Sequence, residues 1–174
     1  EDFSGGLPAG WSVNTLSGIS WTINTPVPGH SRLDNHTGGS GQFAIVDNGW
    51  VNQTVTSLRT PLLDLSSKTA AVLRFKSFYI YDTFESLNVD ATIDGGASWF
   101  NVWNYQGFNP LPTNYVLDLS SAIAGHAEVM LGFRFDSEGF LSGDFWQVDD
   151  VELEVFGGNP PPTDPPDPAT GPNP

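Results

Sequence analysis

Apolar and polar residues alternate with a period of two along much of this chain, and no long stretch carries the period of an amphipathic helix. The plainest case lies near the end, in residues 144–156. There Val151, Leu153 and Val155 alternate with Glu152 and Glu154, as in a half-buried strand that turns its polar side to water and closes a sheet. Asp149 and Asp150 interrupt that run, and Phe145, Trp146 and Val148 before them do not keep one phase with it, which predicts a β-bulge. Residues 128–135 alternate Val129, Leu131, Phe133 and Phe135 against Met130, Gly132 and Arg134. Residues 71–81 form a long apolar and aromatic strand with Arg74 and Lys76 on one face. Residues 87–93 and 99–105 read as a hairpin joined through Asp94-Gly95-Gly96.

The first half of the chain is broken more often by glycine and proline. Residues 1–3 read as a short first strand, and residues 11–14, 20–24 and 42–47 as three further strands. Residues 58–65 contain Pro61 and read as an edge segment. Residues 115–119 form a short strand, and residues 120–125 a single helical turn. Residues 25–41 hold Pro, Gly, His, Asn and Ser with little to bury, so they form a long loop of the kind that often binds. About ten strands separated by turns predict an all-β fold of two antiparallel sheets, a jelly-roll sandwich.

Composition sharpens this picture at the boundaries. Residues 1–156 make one domain, whereas residues 157–174 hold eight of the fourteen prolines and read as an extended tail or linker. The net charge of -14 disfavours nucleic acid and anionic membranes and suits cations or neutral sugars. With no cysteine there is neither a disulfide framework nor a thiolate metal site, and no apolar run is long enough to span a bilayer. A start at Glu1 suits a mature chain after removal of a signal peptide, and we expect an extracellular or cell-surface location.

Four groups of residues are candidates for function. Adjacent carboxylates in a strand call for a cation, and in a jelly roll the first and last strands lie close. Glu1 or Asp2, the Asp47-Asn48 turn, and Asp149 or Asp150 are therefore candidate ligands of a structural calcium, which takes six to eight oxygens. The competing reading is that they are solvated turn and edge carboxylates. Trp99, Trp103 and Tyr105 fall on one face of a strand by simple alternation, a candidate carbohydrate platform; the competing reading makes that face core, or covered by a loop or a subunit. Thr92, Asp94, Gly96 and Trp99 have the spacing of an Asp-box, whose role is to hold a hairpin turn. In the tail, Pro160, Pro161, Pro162, Pro165 and Pro166 are candidates for docking into an aromatic groove of a neighbouring copy.

Other features point nowhere in particular. His30, His36 and His126 have no metal-ligand spacing, there is no Gly-x-Ser-x-Gly elbow, and no carboxylate pair is singled out for glycoside cleavage, so we expect no enzyme. Asn35-His36-Thr37 and Asn52-Gln53-Thr54 fit the glycosylation pattern, which is common by chance.

The opening run Glu1-Asp2-Phe3-Ser4-Gly5-Gly6-Leu7-Pro8-Ala9-Gly10-Trp11 and the closing run Trp146-Gln147-Val148-Asp149-Asp150-Val151-Glu152-Leu153 together resemble the choice-of-anchor J, cleaved-adhesin and MAM-like group of bacterial extracellular domains. Gly39-Ser40-Gly41-Gln42-Phe43-Ala44 and Asp94-Gly95-Gly96-Ala97-Ser98-Trp99 are also similar to that group. The resemblance implies a jelly roll, often with structural calcium, for which it favours Glu1, Asp47 and Asp149, and an adhesive, carbohydrate-binding or accessory role. The expectation is thus a non-catalytic structural or adhesive subunit. Its partners would be copies of itself, assembled into filaments through the tail or an edge strand. The alternative is a carbohydrate-binding accessory module of a secreted hydrolase, with glycans as partners.

Overall fold

A computed structural model describes residues 1–49, 53–80, 85–107, 111–137 and 144–157. Along the chain run β1 (Ser12–Ser17), β2 (Thr22–Asn24), β3 (Phe43–Asp47), β4 (Val55–Arg59), β5 (Ala70–Ile80) and β6 (Glu85–Thr92). They are followed by β7 (Phe100–Tyr105), β8 (Thr113–Asp118), the helical turn α1 (Ser120–Ile123), β9 (Met130–Ser137) and β10 (Phe145–Phe156). Two five-stranded sheets result, ordered β1-β4-β9-β6-β7 and β2-β3-β10-β5-β8, with every strand pairing antiparallel. This is a jelly-roll β-sandwich.

The period-two pattern decides which residues lie between the sheets. Leu131, Phe133 and Phe135 of β9, Leu87, Val89 and Ala91 of β6, and Trp146 and Val148 of β10 all have essentially no exposure and share one core. Phe75 of β5 meets Phe133 of the opposite sheet edge to face at 5.2 Å, and Trp146 donates its Nε1 hydrogen to Ser77 Oγ at 2.8 Å. Fully burying an aromatic of this size is worth about 1.5–3 kcal/mol.

β10 holds the second sheet together and contains the expected bulge. Asp149 pairs with Lys76 and Glu152 with Arg74, so three steps on β10 oppose two on β5. The extra residue, Asp150, takes a left-handed φ of 47°, which Asp tolerates better than most residues. The inserted residue reverses the phase. Trp146 and Val148 point into the core before it, and Val151, Leu153 and Val155 after it. Pairing with β3 covers only residues 145–148, so the first third of β10 is central and its last part is an edge. That is why Glu152 and Glu154 keep a polar side there.

Two expected elements differ. Residues 1–3 form no strand; Phe3 is fully buried, and the chain start is tied to β10 when Val151 N–H donates to Glu1 O at 2.9 Å and the terminal amine donates to Val151 O. Residues 58–65 are not an edge strand. β4 ends at Arg59, before Pro61, and lies between β1 and β9, so the missing proline N–H is never needed by a ladder.

Candidate functional site

The outer face of the sheet β2-β3-β10-β5-β8 is covered around Phe78, Phe145, Gln147 and Asp149 by the loop of residues 25–41. Gln147, fully buried on that face, donates from Nε2 to Arg32 O at 3.1 Å and Asp34 O at 2.9 Å, and accepts from His36 N–H at 2.9 Å. Beneath the loop lies a second apolar cluster of Phe43, Ile45, Phe78 and Phe145, with the His36 ring 4.9 Å from Phe78 and the Arg32 guanidinium 5.6 Å from the Phe145 ring. Asp149, fully buried, accepts from Asn35 Nδ2 at 2.8 Å and Asp150 N–H at 2.8 Å, with Thr37 Oγ1 at 3.4 Å. Desolvation pushes its carboxyl above the ordinary range, against the lowering by these hydrogen bonds. Gly39 is required here, since a Cβ would sit 2.2 Å from Asp149 Oδ2.

The expected calcium donors are not brought together as one set. Asp47 pairs with Arg32 and lies across from Phe145, four residues or roughly 13 Å along the strand from Asp149. Asp150 pairs with Lys76 Nζ at 2.7 Å, which raises the lysine pKa. Glu1 and Asp2 share an open hollow with Asp150, Val151 and Glu152, and Asp2 is held below its usual range by the Ser4 N–H. Among the described residues no three of His, Asp and Glu converge as metal ligands. At Asp149 the groups present fit a calcium ion in part: a buried carboxylate lies beside the Thr37 hydroxyl and in the field of Lys76, while Asn35 turns its Nδ2 donor to that carboxylate and its Oδ1 accepts from Thr37.

The outer face of the other sheet is open. Across it run two rows of polar residues set by the strand register. Arg59 of β4 pairs with Gly132 of β9, which pairs with Asp90 of β6, which pairs with Asn101 of β7. In the next row Asn14, Ser57, Arg134, Asn88 and Asn104 are aligned across all five strands. Ser57, Arg59, Asp90, Trp99, Asn101 and Arg134 line a groove of about 280 Å³. Arg134 Nε donates to Asp90 Oδ2 at 2.6 Å, its Nη1 to Asp136 at 2.9 Å, and Asn101 Nδ2 donates to Asp90 Oδ1 at 2.9 Å. Asn104 Nδ2 donates to Asn88 Oδ1 at 2.8 Å.

The aromatic residues expected to form one platform separate. Val89 pairs with Trp103 but Asp90 with Asn101, so Val102 is an extra residue in β7 and the facing changes there. Trp103 and Tyr105 turn inward, where Trp103 meets Phe75 at 5.9 Å and Tyr115 at 4.8 Å, and its ring stacks with Tyr105 at 6.1 Å. Trp99 lies in the outer groove, against Gly132, where an added Cβ would come within 3.2 Å of the indole. The hairpin holds it there: Asp94 accepts from Thr92 Oγ1 at 2.6 Å and Ser98 N–H at 2.9 Å, the structural role expected of this motif. Pro160, Pro161, Pro162, Pro165 and Pro166 lie outside the described residues.

Arg59, Asp90 and Asn101 were missed from sequence. Polar residues at every second position of β6 and β9 were the available signal, but the pattern does not say which polar face is left uncovered.

Neither a protein-family model nor a curated protein sequence matches this chain. Solved structures do match. The K1 cleaved adhesin domain of Lys-gingipain from Porphyromonas gingivalis W83 is 19% identical over 90% of this chain and 97% of that one, with a TM-score of 0.64. TmCBM61, solved in complex with beta-1,4-galactotriose, is 12% identical over 89% of this chain and 94% of that one, with a TM-score of 0.60. An exo-beta-agarase structure matches over 92% of this chain but 25% of its own, at 13% identity and a TM-score of 0.58. These likenesses establish a shared fold, and the resemblance read from the sequence holds at that level.

Proposed function

We propose that this domain is a non-catalytic binding module, exported to the cell surface or beyond, that takes carbohydrate across the open face of the β1-β4-β9-β6-β7 sheet. The observation that carries the reading is the pair of polar rows crossing that face, with amide and guanidinium donors beside the Trp99 ring. Sugars are bound by such sets of planar hydrogen-bonding groups with an aromatic side chain at hand. The fold it shares with a module solved with a galactotriose and with cleaved adhesin domains supports the same reading and leaves adhesion as its biological use. In this reading the platform is Trp99 with the polar rows rather than Trp103 and Tyr105, which pack into the sandwich.

Self-assembly into filaments was expected through residues 157–174, nearly all of which lie outside the described residues. On the edge strands, Leu16 of β1 and Val116 of β8 are strongly exposed, as isolated side chains rather than a patch. Among the described residues no helix is long and apolar enough to cross a membrane. Calcium is proposed as a structural ion at Asp149, where the Thr37 hydroxyl would supply a neutral oxygen and Asn35 would have to turn its amide to supply another.

Affinity electrophoresis against a panel of soluble polysaccharides tests the binding reading. Asn104→Ala and Trp99→Ala are expected to weaken retention at least tenfold, with Val116→Thr on the opposite sheet as control. A panel in which nothing is retained by the wild-type chain would refute it.

A further inference from the structure

Resting on the carbohydrate reading, we propose that the groove selects a saccharide unit that carries an oxyanion, a uronate carboxylate or a sulfate ester, with Arg59 as its ligand. The guanidinium of Arg59 lies 4.6 Å from the centre of the Trp99 ring. Its Nε is buried with no hydrogen-bond partner, and among the described residues no carboxylate forms an ion pair with it. Arg32, Arg74, Lys76 and Arg134 each contact a carboxylate, and among the described residues Arg59 and Lys68 do not; of those two, Arg59 is the one that lines the groove.

The carboxylate in the groove is already committed. Asp90 receives Arg134 Nε at 2.6 Å, Arg134 Nη2 at 3.4 Å and Asn101 Nδ2 at 2.9 Å. Desolvation lowers the Arg59 pKa while the field of Asp90 raises it, as for a cation without a close anion of its own. A guanidinium fixed by stacking presents its donors in one plane, and that fork matches two oxygens of a carboxylate or sulfate. Unfilled donors on a half-buried cation are satisfied best by a charged acceptor. At long range the net charge of -14 repels polyanions, so retention of an acidic glycan by this chain has to come from a local contact of this kind.

The test uses the full chain at physiological ionic strength, where repulsion beyond about 8 Å is screened. Oligogalacturonate is compared with its methyl ester, carrageenan with agarose, and polyacrylate serves as an anion without sugar rings. The proposal predicts binding of at least one charged glycan at least tenfold tighter than its neutral counterpart. It predicts loss of that preference in Arg59→Gln, partial retention in Arg59→Lys, and no binding of polyacrylate. The two charged arms tell a carboxylate from a sulfate. Equal binding of charged and neutral glycans with no effect of Arg59→Gln would overturn the anionic inference while leaving the carbohydrate reading standing. Polyacrylate held as tightly as the glycans would also overturn it, and no glycan bound at all would remove both. Circular dichroism and the thermal melt of Arg59→Gln confirm that any loss is not one of folding.

Discussion

The two outer faces of this sandwich are built from the same kind of strand and end differently. One is roofed by the loop of residues 25–41, and its polar groups, Gln147 and Asp149, are buried and hydrogen-bonded to that roof. The other keeps its polar rows in a groove, and Arg59 there has unfilled donors. Gln147 and Asp149 beneath the roof have their hydrogen bonds filled by the loop, so they serve stability. On the open face Asp90 is bonded to Arg134 and Asn101, and Asn88 to Asn104, while Arg59 remains available to a ligand. Variants on the first are expected to cost stability, and variants on the second to cost binding.

The largest effect is expected beneath the roof. Phe78→Ala removes the ring that His36 and Phe145 pack on, and should destabilise by about 3–5 kcal/mol in denaturant titration. Gln147→Ala leaves the His36 N–H and two carbonyls without partners and should cost about 2–4 kcal/mol. Gly39→Ala drives a methyl group against Asp149 and should cost about 1–3 kcal/mol, read as a lower unfolding midpoint. If calcium occupies the Asp149 site, EDTA lowers the melting temperature of the wild type and not of Asp149→Asn; an unchanged wild-type melt would remove the ion from the account. Arg59→Gln, which breaks no internal hydrogen bond, should change stability by less than about 1 kcal/mol while altering glycan retention.

The smallest effect is a pH dependence at the hairpin beside the groove. Ser98 and Thr92 hold the Asp94 carboxyl well below its ordinary range. Its folded pKa is thus depressed, so its contribution is present above the unfolded value near 3.9 and is lost as pH falls through the folded one. The stability difference between wild type and Asp94→Asn should shrink on acidification from pH 5 to pH 2. A difference that grows instead would contradict the assignment.

Much of this was legible along the chain. Alternation in β9 and in the second half of β10, the break at Asp149-Asp150, and the turn chemistry of Asp94 all depend on neighbours within a few residues, and each was read correctly. Alternation fails wherever a residue is inserted. Val102 moved Trp103 and Tyr105 into the core and left Trp99 outside, and nothing local distinguishes that strand from a regular one. Asp47 and Asp149 could be separated only by strand register. Nor does the pattern at residues 25–41 reveal which sheet the loop will cover. Sequence determined the sandwich, most of its strands and, away from the inserted residues, their two faces, because side-chain period and turn formation are local. Tertiary structure decided which face is covered and which cations are paired, because those depend on contacts between residues as distant as Arg32 and Gln147, or Arg134 and Asp90.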